Sequence, residues 1–138
     1  DSWGGLFFRI RLERVEPALG RARPSFLTHW PASQAALAGA GPQDPRVTLR
    51  FELYAAGMEL ANAFEELTDA TEQRTRFEQN RARRNALYPE RKDWPVHENL
   101  LAALPHMPPC SGIALGFDRL VMLACGARRI QDVLWMGN

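Results

Sequence analysis

Gly112-Ile-Ala-Leu-Gly-Phe-Asp-Arg-Leu-Val-Met-Leu123 decides how the rest of the chain is read. Its alternation of small and apolar residues predicts a buried strand, and the apolar run after it predicts an amphipathic helix. Asp118 falls where a helix N-cap belongs, and Arg119 opens the helix. Gly112 and Gly116 remove the side chains that would hold a flat ligand away from the strand. A guanidinium at a strand–helix junction suits a phosphate, because its planar fork grips two oxygens at once. The same spacing also fits a packed strand–helix corner carrying a surface Arg.

Working outward, Val47, Leu49, Phe51 and Leu53 alternate without a miss with Thr48, Arg50, Glu52 and Tyr54. Period two predicts a strand with one buried face. Ala56-Gly57 can turn it into a second strand from Met58 to Leu67, forming an antiparallel hairpin. On that second strand Asn62, Phe64 and Glu66 share a face, with Leu60 in line, while Glu59 falls on the other face unless a bulge intervenes. An Asn and a Glu beside Leu60 and Phe64 do not make a simply wetted face. A polar group buried there needs a partner.

Further upstream, Trp3, Leu6, Phe7, Ile10 and Val15 recur at helical intervals behind Asp1 or Ser2 as caps, and Pro17 and Gly20 end that helix. A short strand over 25–30 enters the segment Pro31-Ala-Ser-Gln-Ala-Ala-Leu-Ala38, and residues 39–45 read as a loop. Downstream, Asp69-Ala-Thr-Glu72 is a capping box ahead of a charged helix to about Ala86. Prolines at 89, 95 and 105 bracket a loop and a short helix from Val96 to Leu104. Helices around an antiparallel sheet make the fold class α+β.

With 138 residues, 46% of them hydrophobic and 24% charged, the chain is one globular domain's worth of sequence. A net charge of +1 leaves no electrostatic footprint for non-specific nucleic-acid binding. Apolar runs are broken by charge well short of a membrane span, and no basic-then-apolar leader opens the sequence. Cys110 and Cys125 lack metal-ligand spacing and read as free thiols of a reducing compartment, so a cytoplasmic location is expected. His29, His97 and His106 show no triad or metal pattern.

Two blocks carry a family resemblance. Gly112-x-Ala-x-Gly-x-Asp-Arg119 and its apolar helix, over 112–123, closely resemble motif 3 of the class II aminoacyl-tRNA synthetases. Glu59-Leu-Ala-Asn-Ala-Phe-Glu-Glu-Leu-Thr-Asp69 is similar to the Glu-x-x-Asn-x-x-x-Glu-Leu segment of that class's lysyl branch. The resemblance implies an antiparallel sheet flanked by helices, with ATP and Mg²⁺ as cofactors. It implies that Arg119 is the catalytic cation on the ATP γ-phosphate, and that Glu59, Leu60 and Gly116 also meet ATP. Asn62, Glu66 and Ala114 are implied to meet the amino acid, and Glu59 or Glu66 to hold the metal. Carboxylates suit both Mg²⁺ and an ammonium group.

Within the branch, Trp30-Pro-Ala-Ser-Gln-Ala-Ala-Leu-Ala38 and Met107-Pro-Pro-Cys-Ser-Gly-Ile-Ala-Leu-Gly116 resemble the tRNA-independent ligases. Those enzymes activate lysine or (R)-β-lysine and pass it to a lysine of elongation factor P, with tRNA the less favoured acceptor. Ala114 replaces a glycine of the true lysyl synthetases. One methyl on a pocket floor is worth roughly 1–3 kcal/mol of discrimination. Ala63 and Glu65 depart from the family's usual Gly and its His or Ser. Motifs 1 and 2 would lie ahead of residue 1. Residues 1–138 therefore read as the C-terminal portion of a catalytic domain, homodimeric when complete and not competent alone. A fragment of a true lysyl-tRNA synthetase, or a non-catalytic module presenting a partial nucleotide pocket or a free sheet edge, are the competing readings.

Overall fold

Ala56 and Gly57 both adopt positive φ, +50° and +76°, the conformation of a two-residue hairpin turn matching the twist of its strands. They join β2 (Val47–Ala55) to β3 (Met58–Glu65), the hairpin around which the computed structural model, describing residues 2–91 and 93–136, is built. β1 (Ser25–Pro31) lies beside β2 and β4 (Ser111–Leu115) beside β3. The order is β1-β2-β3-β4, and every neighbouring pair is antiparallel. The sheet and its helices give the α+β class expected from the sequence. β3 ends two residues short of the expected boundary: Glu66 forms only an isolated bridge, to Ala38.

Two irregularities set which side chains face which way. His29, at φ +59°, shifts the β1–β2 register between Thr28 and Trp30 and brings Trp30 opposite Thr48. On β3 the pairing steps from Tyr54–Glu59 to Leu53–Ala61, leaving Leu60 as the extra residue of a bulge. Residues opposite each other across a ladder share a face. One face therefore carries Leu27, Trp30, Thr48, Arg50, Glu52, Tyr54, Glu59, Asn62, Phe64, Gly112 and Ala114. The other carries Phe26, Phe51, Leu53, Ala61, Ala63, Ile113 and Leu115. The bulge resolves the open question over Glu59 by placing it with Asn62, and it takes Leu60 out of line with Asn62 and Phe64.

The buried face of β2 is its polar one. Thr48, Glu52 and Tyr54 are buried, whereas Val47, Leu49, Phe51 and Leu53 are only partly covered. The cause is the covering layer: α1 (Trp3–Ile10) and the segment after β1 lie over the polar side. There Trp30, Ala35 and Ala38 form a core with Phe7, Leu27 and Phe64 against it. Gln73 Nε2 and Arg76 Nη1, from α2 (Ala70–Leu87), donate to the carbonyls of Ala36, and of Ala35 and Ala38, holding that segment down.

Ser2 caps α1 through its Oγ, which accepts from Gly5 N–H; Asp1, the other expected cap, lies outside the described residues. The helix does not run on as α to residue 15: Arg11–Val15 is a π-helix, and Glu16–Ala18 a 3₁₀ turn. Asp69 caps α2 as expected, accepting from the N–H groups of Thr71 and Glu72. Glu72 turns its carboxylate to Arg76 at 2.5 Å. The short helix α3 covers Glu98–Ala103 rather than 96–104, the last turn being 3₁₀ around Pro105.

The strand that opens the sequence argument differs from expectation in two ways. Among the described residues β4 is an edge strand and exposed, with Ile113 64% accessible, because β3 alone of them pairs with it. The helix after it, α4 (Phe117–Cys125), is capped by Gly116, whose carbonyl accepts from Leu120 N–H. Asp118 sits inside the first turn, where its charge complements the helix dipole without capping. Among the described residues no helix is long and apolar enough to cross a membrane.

Candidate functional site

The bulge at Leu60 does more than turn Glu59 around. It frees two carbonyls at the β3–α4 junction. Leu60 O accepts from Gly116 N–H at 2.8 Å, tying the start of α4 to the bulge. Glu59 O accepts from Arg119 Nη1, also at 2.8 Å, while the Glu59 carboxylate stands 4.0 Å from the same guanidinium nitrogen. Arg119 is thereby seated at the strand–helix corner with its side chain half exposed, able to meet a ligand from outside.

Around it lies a cleft of about 270 Å³ lined by Glu59, Leu60, Ala61, Asn62, Ala114, Gly116, Asp118, Arg119 and Ile130. Six of the seven residues singled out from sequence meet here. Glu66 does not line it. Its carboxylate lies over Gly112 on the same sheet face, so a Cβ at 112 would strike Glu66 Oε1. Glu66 N–H donates to Cys110 O, which anchors that end of β3 to the start of β4. Concavities of about 320 Å³ and 250 Å³ line the sheet elsewhere, but they hold none of the singled-out residues.

The Glu59 carboxyl is pushed above the ordinary glutamate range, first by burial and then by the negative charge of Glu52. Arg119 and Arg11 pull the other way without cancelling the shift. A carboxylate under that load is relieved by a cation, so the donor chemistry at Glu59 fits a hard divalent ion. Among the described residues no group of three or more His, Cys, Asp and Glu is placed to hold a metal by itself. An ion at Glu59 would draw its remaining ligands from a bound phosphate, as Mg²⁺ commonly does.

Behind the cleft sits a polar assembly that sequence patterning missed. Glu52, 2% exposed, accepts from Arg11 Nη2 at 2.6 Å and Tyr54 OH at 2.8 Å through Oε2. Its Oε1 accepts from Arg50 Nη2 at 2.8 Å and Asn62 Nδ2 at 3.4 Å. Arg50 Nε donates to Asn62 Oδ1, and Arg50 Nη1 to Gln34 O. Both guanidiniums lie over the Trp30 ring, at 4.7 Å for Arg11 and 4.0 Å for Arg50. Burial and the Glu52 carboxylate push the Tyr54 hydroxyl far up. Burial opposes the Arg11 cation, yet Glu52 and Tyr54 outweigh it and raise its pKa. The available sequence signal was opposite charge at Arg50 and Glu52, two apart on one strand face, which a solvated face and a buried ion pair share.

Chemically, the arrangement offers a fixed cation, a cation-seeking carboxylate and an oriented amide around a floor of glycine and alanine. That set suits a phosphorylated ligand next to an amine-bearing one. Residues 11–137 match the family described as tRNA synthetases class II (D, K and N). Over 121 residues the chain is 57% identical to an elongation factor P–(R)-β-lysine ligase of Sodalis glossinidius (strain morsitans). It is 54% identical over 121 residues to one of Pectobacterium carotovorum subsp. carotovorum (strain PC1), and 55% identical over 122 residues to one of Klebsiella pneumoniae (strain 342). Each match covers 87% of this chain and 37% of the relative, so the chain spans little more than a third of the length of those proteins.

Proposed function

The chain belongs to the class II tRNA synthetases of the D, K and N group, and on that premise we propose that it forms the motif-3 side of a catalytic domain that activates (R)-β-lysine with ATP for transfer to elongation factor P. The observation that carries this reading is the convergence of Glu59, Asn62, Ala114, Gly116 and Arg119 in one cleft. The names of its relatives point the same way.

In the proposed reaction a carboxylate oxygen of the amino acid attacks the α-phosphorus of ATP, and pyrophosphate leaves. The ε-amine of the acceptor lysine then attacks the acyl carbon, forming an amide, losing a proton and releasing AMP. Arg119 carries charge on the departing pyrophosphate, an electrostatic role that needs no proton transfer. Gly116 and Leu60 let the nucleotide lie close to the strand. Asn62 and Glu66 hold the amines of the substrate, and Ala114 floors the space between. Glu59 would hold Mg²⁺, which when bound would supply charge neutralisation along the phosphates. No side chain acts as a covalent nucleophile; catalysis is positioning and oriented charge. Activity draws on the part of the family fold beyond this span, including a second phosphate-binding Arg and a dimer interface. The expected setting is the cytoplasm.

The test is amino-acid-dependent pyrophosphate exchange by the protein that carries this chain. (R)-β-lysine is expected to outperform α-lysine, and Arg119→Ala to lower exchange at least a hundredfold, the usual scale for one transition-state donor. Preference for α-lysine with charging of tRNA moves the protein to the lysyl-tRNA synthetases. Exchange untouched by Arg119→Ala refutes the site.

A further inference from the structure

We propose that Arg11 is a positioning residue for the amino-acid end of the site, acting through Glu52 on Asn62; this rests on the functional reading above. Arg11 opens the π-helix that follows α1, and π turns within α-helices recur where a side chain must be re-aimed for function. The sequence around it, Arg9-Ile-Arg-Leu-Glu-Arg14, is a charged stretch in which Arg9 and Arg14 are exposed. Arg11 alone among these three arginines is drawn in, its side chain 11% exposed, to reach a carboxylate forty-one residues away.

The geometry explains what that reach accomplishes. Arg11 Nη2 donates to Glu52 Oε2 and to Tyr54 OH, both at 2.6 Å, while Tyr54 OH donates to the same Glu52 oxygen. One oxygen of Glu52 is locked from the N-terminal side. The other oxygen accepts from Asn62 Nδ2, and Arg50 bridges Glu52 Oε1 and Asn62 Oδ1. Arg11 and Asn62 thus grip opposite ends of one buried carboxylate.

A carboxamide has two N–H hydrogens and two oxygen lone pairs. In Asn62 one of each is used to fix the plane, leaving one N–H and one lone pair for an amino acid in the cleft. Without Arg11, Glu52 keeps Arg50 on one oxygen and only the Tyr54 hydroxyl on the other, and the rotation this permits carries the Asn62 plane with it. Among the described residues Arg11 makes no hydrogen bond to Arg119 or to a residue lining the cleft, and it reaches the nucleotide end only through the weak pull of its charge on Glu59, so the effect there is expected to be smaller. Lysine at position 11 supplies the charge but not the fork, and restores part of the effect.

Pyrophosphate exchange by the protein carrying this chain, with amino acid and ATP varied in turn, tests the proposal on Arg11→Met, Arg11→Lys and Tyr54→Phe. Arg11→Met is expected to raise KM for the amino acid about tenfold, the scale of one misdirected hydrogen bond, with KM for ATP within about twofold. Arg11→Lys should recover part of that loss. Tyr54→Phe, which keeps the Arg11–Glu52 pair, should shift the same KM by about two- to threefold and serves if Arg11→Met does not fold. A lowered melting temperature with both KM values unchanged, or an equal rise in both, overturns the proposal and makes Arg11 a packing residue. Absence of exchange with any lysine isomer in the unsubstituted protein overturns the functional reading, and this proposal with it.

Discussion

The two faces of the sheet invert the usual relation between chemistry and exposure. On one, Phe26, Ile113 and Leu115 stand 62%, 64% and 49% accessible, with Phe26 meeting Phe51 edge-on at 5.4 Å. On the other, a carboxylate, two guanidiniums, a phenol and an amide are enclosed beneath α1 and the segment over 31–38. Amphipathic alternation states that two faces differ; it does not state which one the rest of the chain covers. The polar face tolerates burial because the Glu52 oxygens and their donors are matched. The cleft of the proposed function opens at the margin of the polar face, where oriented charge is already held in place.

Breaking the polar face should cost most. Glu52→Ala leaves Arg50 without its counter-charge and Arg11 with only Glu16 at 3.4 Å, and removing one partner of a buried pair typically costs about 3–5 kcal/mol. Urea unfolding should register it, and a loss near that of a surface substitution would mean the cluster is hydrated. Tyr54→Phe deletes one hydroxyl that both donates and accepts there, and should cost about 1 kcal/mol in the same measurement.

Glu59→Gln sharpens the comparison by changing its pH dependence. Glu59 has a folded-state pKa above its unfolded one, so its ionisation disfavours the fold increasingly as pH rises from the ordinary glutamate range through the folded value, and fully above it. The Gln variant should therefore be more stable than the parent near neutrality. That gain should fade as pH falls through the folded pKa and vanish below the ordinary glutamate range. A gain independent of pH would place the effect in packing instead. Smallest of all, Ile113→Thr on the open apolar face should change stability by no more than about 0.5 kcal/mol, which a melting comparison will check. A larger loss would show that this face is covered.

How much of this was legible in the sequence follows from distance along the chain. The β2–β3 hairpin, its Ala56-Gly57 turn and the Asp69 cap depend on neighbours a few residues apart, and each is present. The six cleft residues were legible because family motifs carry long-range placement that periodicity lacks. Pattern alone missed what non-local partners decide. Leu60 bulges so that Glu59 and Asn62 can share a face, and His29 takes a left-handed backbone so that Trp30 meets Arg50. Arg11 leaves a helix to reach Glu52. β4 read as buried because small and apolar residues suit a central strand, yet among the described residues β3 is its only neighbour. Gly116 rather than Asp118 caps α4 because the backbone turns two residues earlier, where Leu60 O holds Gly116 N–H.

In the proposed function, nucleotide and amino acid bind along the margin of the polar face. Amide hydrogen exchange of the protein carrying this chain, with and without a non-hydrolysable lysyl-adenylate analogue, tests it most directly. Slowed exchange over residues 58–66 and 111–119, with residues 70–87 of α2 unchanged, is the predicted result. Protection confined to α2 or to the 1–18 segment, with 58–66 and 111–119 unaltered, would contradict it.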